Sequence, residues 1–147
     1  MYKVVKKFKN YPFAHRQHNH SGHCRKVHGH NWDFEVCVEA KTLDKNGFVY
    51  DFGKFKALRK WFEQKFDHTC LINEDDPKVE IFKMLQSESL LNLVLVKSGS
   101  AEGLAKMIYK KTDTMLQSQA TLRQRGLSLV YIHVREDKNN SALFMGD

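Results

Sequence analysis

Gly29-His30-Asn31-Trp32-Asp33-Phe34-Glu35-Val36-Cys37-Val38-Glu39, residues 29–39, alternates along its whole length. His30, Trp32, Phe34, Val36 and Val38 fall on one side; Asp33, Glu35, Cys37 and Glu39 fall on the other. A period of two is the pattern of a strand with one face in a core and one face in water. Upstream, Tyr2, Val4, Val5 and Phe8 lie among lysines, so residues 2–9 read as an edge strand. Downstream, Asp44-Lys45-Asn46-Gly47 marks a turn before the short apolar run Phe48-Val49-Tyr50.

Helical spacing takes over from there. Asp51 is a candidate N-cap, and Phe52, Phe55, Leu58, Phe62 and Phe66 recur at steps of three and four. A short helix starts at Asp76-Pro77 and carries Ile81, Phe82 and Leu85. Residues 90–96, broken only by Asn92, read as a buried strand. Ser100 can cap a helix with Leu104, Met107, Ile108, Met115 and Leu116 on its apolar face, and after Gly126 residues 127–135 form a last strand. This order predicts an α+β fold, a sheet with its main helices packed on one face.

The chain of 147 residues suits one domain spanning 1–147, and 41% hydrophobic with 28% charged residues supports a packed core over disorder. No apolar run reaches the roughly 20 residues that cross a bilayer. Residues 1–7 have no apolar signal region, which points to a cytoplasmic protein. Three cysteines, an odd number, favour free thiols over a disulfide framework. A net charge of +7 suits a nucleic acid, a phosphorylated small substrate, or merely a solvated basic surface. There is no paired Cys-x-x-Cys knuckle and no single basic recognition helix, which disfavours a zinc-containing nucleic-acid module.

Six of the eight histidines fall between His15 and His30. His28 and His30, two apart at the entry to a strand, leave the same face of a sheet, and His15 comes from the preceding strand. Three neutral imidazoles with an open position suit a catalytic zinc ion, although His18, His20 and His23 are alternative ligands. Cys24 is a candidate base or nucleophile, or else a further ligand, because a cation nearby favours the reactive thiolate. Cys37 and Cys70 read as structural. Phe66-Asp67-His68 adds a carboxylate beside an imidazole, a pairing that suits a proton relay.

Taken together, Phe13-Ala14-His15-Arg16, Cys24-x-x-x-His28-Gly29-His30-Asn31, Gly47-Phe48-Val49-Tyr50-Asp51-Phe52, Phe66-Asp67-His68, Leu71-Ile72-Asn73, Ser100-Ala101-Glu102 and Glu136 resemble the family of 6-pyruvoyltetrahydropterin and 6-carboxytetrahydropterin synthases. The three residues between Cys24 and His28 resemble the carboxy-forming branch. The resemblance implies a tunnelling fold: a four-stranded antiparallel sheet with two main helices, assembled as a barrel-like homo-oligomer, often a hexamer. It implies zinc on His15, His28 and His30, Cys24 as general base, and Asp67 with His68 as a proton-transfer pair across a subunit interface. Glu136 and Glu102 would bind the pterin. The implied reaction takes 7,8-dihydroneopterin triphosphate to 6-carboxytetrahydropterin in queuosine precursor synthesis. The sequence departs from the family pattern at Gly99-Ser100-Ala101-Glu102-Gly103, where Pro-Thr-x-Glu-Asn is usual. It departs again at Glu136-Asp137, where Glu-Thr is usual, and at Trp32, where a smaller aromatic is usual.

Overall fold

The alternating segment is the strand β2, His28–Ala40, and it pairs antiparallel with β1, Tyr2–His15. The structure is a computed structural model that describes residues 1–120 and 124–147. Trp32, Phe34, Val36 and Val38 are fully buried, so one face of β2 is core along its length. β1 runs six residues beyond the expected edge strand, because it goes on pairing with β2 from Tyr11 to His15 after a bulge. Its register with β2 shifts between Phe8 and Tyr11, and Asn10 takes a left-handed φ of 69°. Asn tolerates that conformation better than most side chains, and its N–H donates to Asp33 Oδ1 at 2.9 Å. The extra residue changes the phase of the strand. Phe8 faces inward before it; Tyr11, Phe13 and His15 face inward after it. The bulge therefore turns His15 to the same face as the β2 histidines.

After β2, Asp51 Oδ1 accepts from the Gly53 N–H at 2.8 Å and opens a 3₁₀ turn, Phe52–Phe55. That turn continues into α1, Lys56–Lys65. Then come β3, Cys70–Asn73; α2, Val79–Ser87; β4, Leu93–Val96; and α3, Ala101–Gln117. The chain ends with β5, Ser128–Arg135, and β6, Ser141–Phe144.

The sheet corrects the four-stranded antiparallel expectation. Among the described residues it has six strands in the order β4-β3-β1-β2-β5-β6, and it is mixed, because β3 runs parallel to both β1 and β4. β3 is only four residues long, but all four are buried. The apolar run at 90–96 gives a shorter strand than expected, with Leu90 exposed before it. β5 is flanked by β6 along Ile132–Arg135, so the last strand in the sequence reading is not the outermost one. Among the described residues β1 meets β3 only at Ala14 and His15, so residues 2–9 pair with β2 alone.

α1 and α3 cover one face, as expected: Leu58, Phe62, Leu104 and Ile108 join Phe8, Phe34, Val36 and Leu71 in the main core. Phe8, Phe34 and Phe66 gather around Phe62, with ring centroids 4.8–6.1 Å from it. α2 packs on the other face of β3, where Phe82 meets Cys70 and Ile72. Alternation along β3 accounts for the split, since Leu71 points opposite to its two neighbours. Among the described residues no helix is long and apolar enough to cross a membrane.

Candidate metal centre

The antiparallel register places His15 opposite His28 and Phe13 opposite His30. The three imidazoles consequently meet at one end of the β1–β2 ladder, with ring centroids 4.6–5.3 Å apart. Trp32, fully buried and stacked on Phe13 at 4.6 Å, forms an apolar floor beneath them. Its ring lies 5.0 Å from His15 and 5.4 Å from His30.

Backbone carbonyls orient two of the rings. His15 Nδ1 lies 2.7 Å from Gly99 O, and His28 Nδ1 lies 2.8 Å from Lys26 O. A carbonyl only accepts, so each Nδ1 carries a proton, and in the neutral ring that tautomer leaves the Nε2 lone pair free. Burial drives the His15 pKa down to about 4; the Gly99 carbonyl opposes the shift and the charges of His28 and His30 add to it. His15 is therefore neutral near pH 7, the form that binds metals.

The fourth donor is Glu136, the residue after β5. One ligand atom each from His15, His28, His30 and Glu136 lie within 4.8 Å of one another. Glu136 Oε1 is 2.8 Å from His30 Nε2 and 3.8 Å from His15 Nε2. Yet neither Nε2, both buried, makes a hydrogen bond of acceptable geometry. Leaving a buried polar atom unsatisfied costs about 1–3 kcal/mol. Two such atoms aimed at a carboxylate fit a shared cation, with nitrogen and oxygen donors of the kind zinc takes. Sequence reasoning gave Glu136 to the pterin; the structure puts it among the imidazoles. It lies over a hundred residues from the other three, and only the β2–β5 pairing brings it there.

The other histidines of the cluster face elsewhere. His18 lies 3.9 Å from Asp76 and 4.0 Å from Asp75, and His20 Nδ1 accepts from the Gly22 N–H. Gly29 is not sterically required, since a Cβ there would meet only Phe13 O at an ordinary 3.5 Å. Cys24 sits half-buried in a 3₁₀ turn, His23–Arg25, outside the four-donor group. Its carbonyl accepts from the Gln17 N–H at 2.9 Å, which ties its loop to the residues just after His15.

Asp67 and His68 lie one strand away, where the His68 N–H donates to Pro12 O. His68 Nδ1 is 2.7 Å from Asp67 Oδ1, so the ring presents Nε2 outward, and its side chain is 80% exposed. His68 holds a left-handed φ of 57°, a strained conformation for a non-glycine residue. Glu102 is exposed in the first turn of α3, whose cap is Ser100 Oγ accepting from the Gly103 N–H at 3.1 Å. Four residues around the site carry no site role in the sequence stretches that contain them: Asn73, Gly99, Asp76 and the side chain of Arg16. Gly99 acts through its carbonyl, which no sequence pattern announces.

The family described as 6-pyruvoyl tetrahydropterin synthase matches residues 4–147. The 6-carboxy-5,6,7,8-tetrahydropterin synthase of Rickettsia conorii is 37% identical over 67 residues, 45% of this chain and 49% of that protein. The chain thus spans about half the length of that curated relative. The Rickettsia bellii protein of the same name is 33% identical over 94 residues, 63% of this chain and 67% of that one. Among solved structures, an uncharacterized protein from Wolinella succinogenes superposes with a TM-score of 0.84 at 18% identity, covering 99% of this chain and 98% of that chain. The 6-pyruvoyl tetrahydropterin synthase of Caenorhabditis elegans gives 0.66 at 21% identity, covering 100% and 98%. At these identities the structures support the fold.

Proposed function

The chain belongs to the 6-pyruvoyl tetrahydropterin synthase family, and from that membership we propose that it is a zinc-dependent lyase acting on 7,8-dihydroneopterin triphosphate. One water is consumed, and the products are 6-carboxy-5,6,7,8-tetrahydropterin, triphosphate and acetaldehyde, on the route to a queuosine precursor. One observation carries the reading: three imidazoles converge with two buried, unsatisfied Nε2 atoms beside a carboxylate. The carboxy-forming branch is favoured by the relatives of that name and by the three residues between Cys24 and His28.

His15, His28 and His30 would hold the zinc, with Glu136 beside them. When bound, zinc supplies Lewis acidity toward the substrate's side-chain hydroxyls. The chain's own groups then move protons. Cys24, on the loop that begins at the end of β1, takes a proton from the substrate side chain. His68, oriented through Nδ1 by Asp67, exchanges protons at its outward Nε2. Glu136 and Glu102 are the carboxylates that accept from the guanidine-like edge of the pterin. The basic surface, with its net charge of +7, suits the triphosphate.

The His68 ring faces solvent in a single chain, which supports its use across an interface in a homo-oligomer, a hexamer by family resemblance. The unpaired side of residues 2–9 and the short outer strand β6 are sheet edges of the kind that join subunits. Light scattering at micromolar concentration should return an assembly larger than a dimer; a monomer would reject the shared site.

The activity is tested by incubating zinc-loaded protein with 7,8-dihydroneopterin triphosphate and identifying products by mass spectrometry. The expected result is the 6-carboxy product with equimolar acetaldehyde. A 6-pyruvoyl product without acetaldehyde would move the chain to the other branch, and an unconsumed substrate would refute both.

A further inference from the structure

The turn that leaves β3, residues 73–76, stands behind both halves of the site. Asn73 and Asp76 are both buried, and the Asp76 carboxylate is completely enclosed. From Asn73 one chain of contacts runs to the metal side. Asn73 Oδ1 accepts from the Gly99 N–H at 2.8 Å, and Gly99 O accepts from His15 Nδ1 at 2.7 Å. From Asp76 a second chain runs to the thiol side. Arg16 Nε and Nη2 each donate to one Asp76 oxygen at 2.6 Å, a two-pronged pairing that fixes the guanidinium plane. The remaining arm, Nη1, donates to Arg25 O at 3.2 Å, next to Cys24. The Gln17 N–H holds Cys24 O, and the Phe82 ring of α2 packs against the guanidinium at 5.7 Å. The loop between β1 and β2 has little regular structure beyond its single 3₁₀ turn, so these bonds set where Cys24 stands.

We infer that Asn73 and Asp76 are positioning residues that act on the two halves of the site separately: Asn73, through Gly99, fixes His15, and Asp76, through Arg16, fixes the segment that carries Cys24. The two arms leave one short turn and reach neighbouring residues, His15 and Arg16, but among the described residues no side-chain hydrogen bond joins one arm to the other beyond the turn. The Asp76 N–H donates to Asn73 O at 3.0 Å, and Asp76 Oδ1 accepts from the Lys78 N–H at 2.8 Å. The turn is thereby anchored to the start of α2 independently of the site. The consequence for catalysis rests on the proposed role of Cys24; the positioning itself does not.

The test uses the zinc-loaded full chain and two readouts other than turnover. The first is the rate at which iodoacetamide alkylates Cys24, read on its peptide by mass spectrometry. Cys37 and Cys70, both buried, serve as internal controls. The second is zinc affinity, by competition with a chromophoric chelator. Arg16→Lys keeps a positive charge but loses the fork, and should shift the Cys24 alkylation rate several-fold with zinc affinity unchanged. Asp76→Asn should do the same more strongly. If removing its buried charge prevents folding, Arg16→Lys still decides the matter. Asn73→Ala should weaken zinc binding by about 10–100-fold, the usual effect of losing a group that orients a ligand, and leave Cys24 alkylation unchanged. Asn73→Asp keeps the acceptor and should restore the affinity. Unchanged Cys24 reactivity in Arg16→Lys would overturn the inference. So would variants at both positions that move both readouts together. A Cys24→Ala protein with full turnover would instead end the catalytic reading and leave the positioning result standing.

Discussion

Gly103→Ala should destabilise the protein, although a glycine-to-alanine change inside a helix ordinarily helps. A Cβ on Gly103 would stand 2.5 Å from Ser98 Cβ and Oγ and 2.6 Å from Ser98 O. The Ser98 hydroxyl can rotate away, but its backbone carbonyl cannot, so the segment before α3 has to move. Forcing atoms into a filled site costs about 1–3 kcal/mol, whereas the helix-propensity gain is only about 1 kcal/mol. An overlap this deep with fixed backbone takes the upper end of that cost, so the clash wins by about 2 kcal/mol, which for a chain of this size lowers Tm by roughly 4–8 °C. The movement also reaches the metal centre, because Ser98 adjoins Gly99, whose carbonyl holds His15 at 2.7 Å. Thermal unfolding followed by circular dichroism, with and without zinc, measures the first effect; chelator competition measures the second, a several-fold loss of affinity. Gly29→Ala is the matched control, since its Cβ meets nothing closer than 3.5 Å, and its Tm should not fall. A Gly103→Ala protein as stable as its parent would refute the steric reasoning. The same contacts explain why the asparagine usual in the family has no room here.

Cys24→Ala should retain zinc and lose turnover by about 10²–10⁴-fold, the usual worth of a general acid–base group. His68→Ala should behave likewise and Asp67→Ala more mildly, whereas Cys37→Ala and Cys70→Ala should remain active; zinc content and rate measured together separate a base from a ligand. Metal-free protein should lose stability as pH falls from 6.5 to about 4, because an unfolded His15 takes up a proton at the higher value and the folded one only at the lower. The full loss amounts to about 3 kcal/mol; urea unfolding across that range measures it, and a flat profile would contradict the burial assigned to His15.

The parts of the fold legible in the sequence are those where one residue's neighbours decide its side. β2 shows its buried face by plain alternation, and α1 and α3 show theirs by helical spacing capped at Asp51 and Ser100. The His28-x-His30 pair was visible for the same reason. The bulge at Asn10 was not, because an extra residue breaks the very periodicity by which strands are recognised. Without it residues 2–9 look like a finished strand, and His15 would be assigned to the wrong face. β3 is too short for a pattern; its four buried residues are set by parallel pairing on both sides, a long-range property. Glu136 is legible as a site residue, but its place beside the imidazoles is not, since that position follows from the β2–β5 register and not from any neighbouring residue. The Asn73 and Asp76 contacts join segments dozens of residues apart and end on backbone atoms, which every sequence supplies equally.

Zinc K-edge X-ray absorption on the purified protein tests the metal centre most directly. Imidazole nitrogens at about 2.0–2.1 Å, with oxygen donors at about 2.0–2.2 Å and no sulfur, are expected for His15, His28 and His30 with a carboxylate or water beside them. The signal should come from one zinc per chain and disappear in His28→Ala. A sulfur shell at about 2.3 Å would make Cys24 a ligand, and zinc at full occupancy in His28→Ala would contradict the three-histidine centre itself.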